Sequence, residues 1–94
     1  MSRQSRILDR LTQAFSPLHL EVEDDSARHA GHAGARQGGE THFNVRMAAS
    51  AFEGMSRVAR TRAVNEVLAG EFADGLHALS LTLRAPSELA AERS

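Results

Sequence analysis

The sequence contains no cysteine, no tryptophan and no tyrosine, only two prolines, and four phenylalanines as its whole aromatic complement. Without cysteine the chain forms no disulfide and supplies no thiolate ligand. With phenylalanine alone, and all four at core-like positions, it offers no platform for stacking nucleic-acid bases. No apolar run approaches the ~18 residues of a membrane span. The start is not signal-like, so the expectation is a soluble, cytoplasmic protein of a reducing compartment with no membrane partner. The formal net charge of −1 gives the molecule no overall pull toward phosphate backbones or anionic lipid. Phosphate-binding glycine loops and a nucleophile elbow are also missing, and nothing marks a self-sufficient enzyme.

What is present describes one small globular unit. Ninety-four residues, 41% hydrophobic and 24% charged, suit a single domain over 1–94 with its core at about 5–86. Ile7, Leu8, Leu11, Ala14 and Phe15 recur at helical spacing while Arg3, Arg6 and Arg10 keep to other angles, so a helix runs from a Ser2 cap to Phe15 and stops before Pro17. Leu18, Leu20 and Val22 alternate with His19, Glu21 and Glu23 as in a half-solvated strand, and Phe43, Val45 and Met47 repeat the pattern. A turn at Phe52–Gly54 and a cap at Ser56 introduce a second helix from about Arg57 to Phe72, with Val64, Val67, Leu68 and Phe72 inward. Ala73–Gly75 ends it. Leu79, Leu81 and Leu83 mark a third strand, and Pro86 opens a short final helix. The order is helix, strand, strand, helix, strand, helix: an α+β fold with helices over one face of a three-stranded mixed sheet.

Between the first two strands the periodicity disappears. Residues 25–39 form a glycine-rich loop, expected to be the most mobile internal segment, and His29, His32 and His42 stand in or beside it. His29 and His32 make an H-x-x-H pair. Nearby neutral imidazoles can ligate zinc, copper or iron, but two solvent-facing histidines in a loop are an equally ordinary outcome. His42 reads as a partly exposed strand residue and His19 as a surface one. His77 opens the third strand, where it is either a ligand free of the sheet's packing or a core-edge histidine. A hydrolytic set of Asp25, Ser26 and His29 lacks every supporting motif.

Four motifs in order carry a resemblance: S-x-x-H at Ser26–His29, G-E-T-H-F at Gly39–Phe43, F-E-G at Phe52–Gly54 and H-A-L-S-L at His77–Leu81. Over roughly Ile7 to Pro86 the chain resembles the BolA family. The resemblance implies a class II KH-like αββαβα domain. It also implies a heterodimer with a monothiol glutaredoxin, the two proteins sharing a two-iron two-sulfur cluster. The glutaredoxin cysteine and a glutathione thiol hold one side, and histidines of the BolA-like chain hold the other. Position by position, those histidines are His29 and His77. Family members with a loop cysteine form another type, and this chain is similar to the histidine type. The family's Arg-His-Arg in the second helix is Arg60-Thr61-Arg62 here, so that histidine is absent.

The chemistry is consistent with this implication. A chain without thiols completes an iron–sulfur site only when another molecule brings them, and imidazole in place of thiolate raises the potential, as in Rieske centres. No cluster is expected on the isolated chain. Between the loop histidines, His29 lies nearer the first strand and loses less entropy on ligation than His32, which stays as the alternative ligand. The competing class is a DNA-binding transcriptional regulator of the stress-response kind, using the KH-like fold with Arg57, Arg60 and Arg62 as a local basic set. Against it, Arg60 lies at the angle of Val64, and Arg62 stands four residues before Glu66, within pairing distance. Zinc held by His29, His32 and His77 without a partner is the third reading.

Overall fold

The computed structural model describes residues 2–25 and 41–93. Helix α1 spans Arg3–Phe15. Its Ser2 cap accepts the Ser5 N–H at 3.1 Å, satisfying one of the free donors of the first turn. Ser16 takes a left-handed turn at φ 45 before Pro17. Strands β1 (His19–Asp24) and β2 (His42–Ala48) pair antiparallel, with Leu20 opposite Met47 and Val22 opposite Val45. Leu18 precedes the strand and is exposed, so the inward face begins at Leu20 rather than at Leu18. A 3-10 turn at Ser50–Phe52 and Gly54 at φ 76 lead to the Ser56 cap. Helix α2 (Arg57–Val67) then returns the chain, and after the short α3 (Ala69–Ala73) strand β3 (Ala78–Arg84) runs parallel to β2. Helix α4 spans Pro86–Arg93.

The sheet order β1-β2-β3 puts β2 at the centre. Ile7 and Leu11 of α1 and Val64 and Leu68 beside them bury against Val22, Phe43, Val45 and Met47. The other face, with Glu21, Arg46, Ser80 and Thr82, is exposed, so the helices cover one face as expected. Among the described residues no helix is long and apolar enough to cross a membrane.

The second helix departs from expectation. Instead of one run to Phe72, the chain breaks at Leu68 (φ −99, ψ 10) and restarts as α3. The reset turns Glu71 inward, 3% exposed, and leaves Phe72 at 36%. The cause lies in α1. Arg6 Nε meets Glu71 Oε2 at 3.0 Å, Arg3 Nε meets Oε1 at 3.2 Å, and Arg10 approaches at 3.6 Å. Hydrogen bonds from Arg6, reinforced by Arg3, hold this carboxyl below its ordinary 4.5 despite burial. Arg3 also reaches Asp74 Oδ2 at 3.0 Å. Gly75, at φ 121, closes the turn where a Cβ would come within 3.4 Å of the Arg3 guanidinium.

Candidate functional site

The parallel pairing of β2 with β3 determines what meets at the entry to the third strand. Register places His42 opposite Ala78, so His77 stands one residue outside the ladder beside β2's first residue. The His77 and His42 rings lie 6.0 Å apart, edge to face. Thr41 ties the corner together. Its carbonyl accepts the N–H groups of His77 at 2.9 Å and Ala78 at 3.1 Å, and its hydroxyl lies 2.9 Å from His42 Nδ1. His77 is exposed and His42 half-buried. Of the two readings of His77, core-edge residue or solvent-facing side chain, the structure selects the second.

Asp25 donates its N–H to the His42 carbonyl at 2.8 Å. Asp25 and Thr41, the described residues on either side of 26–40, are thus both anchored on the His42–His77 corner. His29 and His32, the Gly/His loop and its expected mobility lie outside the described residues. His19 lies apart, exposed, with Nε2 2.8 Å from Glu21 Oε2, a contact that lowers the Glu21 pKa.

The basic set divides. Arg60 is 7% exposed. Its Nε donates to the Met55 carbonyl at 3.1 Å, its Nη1 donates to the Leu83 carbonyl at 3.3 Å and pairs with Glu88, and its guanidinium lies 5.8 Å from the Phe52 ring centroid. Glu88 in turn accepts the Ala85 N–H at 2.7 Å, and that bond, followed by Arg60, lowers its pKa. Arg60 thus joins α2 to the end of β3 and the start of α4, where a phosphate would have to displace a carboxylate. Arg57 and Arg62 are exposed, and among the described residues Arg62 makes no ion pair with Glu66.

The family model described as BolA-like protein matches residues 11–88. The chain belongs to the BolA-like family. SufE-like protein 1, chloroplastic/mitochondrial, of Arabidopsis thaliana is 46% identical over 92 residues, which cover 94% of this chain and 25% of that protein. Protein BOLA1, chloroplastic, of the same plant is 46% identical over 89 residues, covering 93% of this chain and 56% of the relative. The chain thus spans a quarter of the first and about half of the second. The solved BolA domain of SufE1 from Arabidopsis thaliana superposes with a TM-score of 0.83 at 45% identity, covering 94% of this chain and 96% of that one.

In this BolA-like domain the histidine corner supplies imidazole nitrogen and no sulfur. Among the described residues no three His, Asp or Glu side chains gather closely enough to hold a metal ion. Two imidazoles are a donor set for a metal group that takes its remaining ligands from beyond the described residues. His42 is the residue whose place the sequence leaves undervalued. Alternation along β2 puts it on the outward face, but only the parallel register with β3 brings it to His77.

Proposed function

We propose that this BolA-like chain pairs with a monothiol glutaredoxin and completes a shared two-iron two-sulfur cluster through His77 and His29, in iron–sulfur trafficking or iron sensing. One observation carries the reading: His77 is exposed at the corner to which Asp25 and Thr41, the residues flanking 26–40, are both bonded. The chain has no cysteine, so the glutaredoxin cysteine and glutathione would bring the thiolates. When bound, a histidine-ligated cluster supplies electron transfer at a raised potential coupled to proton uptake. The chain's own part is to present neutral imidazoles from a fixed strand entry and from a tethered loop. In this reading it is a binding partner and not an enzyme. Its place is the cytoplasm or an equivalent reducing compartment, where the thiols stay free.

The test is a titration of the chain into cluster-loaded monothiol glutaredoxin under anaerobic conditions, followed by visible circular dichroism and by size-exclusion mass. The wild type should form a heterodimer with a histidine-type spectrum. His77→Ala and His29→Ala should each lose that spectrum, and His32→Ala should keep it. An unchanged spectrum in both His77→Ala and His29→Ala would sink the assignment. Retention of a cluster by the isolated chain would remove the need for a thiol partner.

A further inference from the structure

The sheet has two edges, and they differ. Along β1, the N–H and C=O groups of Glu21 and Glu23 face β2, which leaves those of Leu20 and Val22 on the outer side. Gln4 closes that side by donating from Nε2 to the Val22 carbonyl at 2.7 Å, and the strand carries Glu21, Glu23 and Asp24. On β3, Ala78 donates toward β2 and Arg84 accepts from it, so Ala78, Ser80, Thr82 and Arg84 use their main chain inside the sheet. The alternation leaves Leu79, Leu81 and Leu83 facing outward. Arg60 and Arg84 already bond the Leu83 carbonyl, at 3.3 Å and 3.1 Å. Among the described residues nothing bonds the outward groups of Leu79 and Leu81.

Exposed edges are ordinarily blunted by lysine, proline, a bulge or a covering element, because they template further pairing. In β3, ALSLTLR, there is no lysine, no proline and no acidic residue. Beside the edge, a crevice of about 250 Å³ lies between β3 and α2, with Arg57, Thr61, Leu81, Thr82 and Arg84 among its walls. Of the nearby carboxylates, Glu88 is committed to Arg60 and to the Ala85 N–H. Val58, one residue from Arg57, is 60% exposed.

We propose that the β3 edge is a docking site for an extended acidic segment of a partner protein, which adds as a fourth strand beside Leu79 and Leu81. Main-chain hydrogen bonds supply the pairing, and charge supplies the choice of partner. A strand added there turns alternate side chains toward α2, where its carboxylates meet Arg57. A peptide fits this site better than nucleic acid, because the unmet groups are main-chain N–H and C=O pairs at strand spacing. Arg60, which a phosphate would need, is engaged. The added strand would begin beside Leu79, two residues from His77, but its recognition by the β3 main chain and Arg57 does not depend on the cluster reading.

The experiment titrates the isotope-labelled full chain with a short peptide of alternating glutamate and valine, and with the same peptide carrying lysine for glutamate. Expected are amide shifts and slowed hydrogen exchange at Leu79 and Leu81 with the acidic peptide only. Arg57→Glu, on an exposed first turn, should weaken binding about tenfold or more. Leu81→Pro, which removes an outward N–H, should abolish it if that variant folds. The proposal is overturned if the acidic peptide produces no shifts at these residues at millimolar concentration, or if Arg57→Glu binds equally well. It also fails if an oligonucleotide moves the same amides more strongly than the peptide, or if the edge pairs with a second copy of the chain without any peptide.

Discussion

Glu71 and His77 stand on either side of the Gly75 turn and meet opposite conditions. Glu71 is buried, with Arg3 and Arg6 filling its acceptor positions, and every partner comes from the chain itself. His77 is exposed, and among the described residues it is held by its backbone N–H on Thr41, with its ring beside His42. A charged group whose partners are all internal contributes to stability and has little left for a ligand. A fixed side chain with unused capacity is the reverse. One short segment thus anchors the fold and exposes an imidazole beside that anchor.

Breaking the first half of this contrast should have the largest effect. Glu71→Ala leaves three arginines around an emptied site and should destabilise the domain by about 3 kcal/mol, read from urea unfolding. Acid should remove the same contribution gradually. The folded pKa of Glu71 lies below its ordinary 4.5, so its stabilisation is present above that value and disappears as pH falls through the lower folded value. Across that window the stability gap between the wild type and Glu71→Gln should close. A gap that stays constant to the lowest pH would show that the arginines do not favour the ionised form. Arg60→Met keeps much of the volume but gives up the bonds to Met55, Leu83 and Glu88, and should cost about 1.5 kcal/mol by the same measurement. His77→Ala should change stability by no more than about 0.5 kcal/mol. A larger loss there would make His77 a structural residue and erase the contrast.

The order of elements was legible in the sequence because its signals are local. Period-two leucines, Ser2 and Ser56 as caps, Gly75 as a break and Pro86 as a helix start each act within a few residues. The fate of Glu71 was not, because its partners lie 65 and 68 residues away and local periodicity favours Phe72 as the inward side chain. The stripe Arg3, Arg6, Arg10 at helical spacing was the available sign, since arginines on one face of a helix that must bury its neighbours call for a carboxylate. His77 could be singled out by its place at a strand entry. Its approach to His42 depends on which strands pair and in which direction, and alternation alone does not encode that.

The clasp between α1 and Glu71 has a consequence for the order of assembly. A helix of 13 residues is marginal alone in water, and its Ser2 cap is a small contribution until β2 and α2 exist to receive Ile7 and Leu11. During synthesis α1 is therefore made before its packing partners and completed late. Its arginines stay hydrated until residue 71 emerges, and the ion pairs then close a long loop whose entropy the β2–β3 pairing has already reduced. On this account α1 docks after the folding nucleus, so lesions in Arg3 or Arg6 should accelerate unfolding and leave the folding rate nearly unchanged.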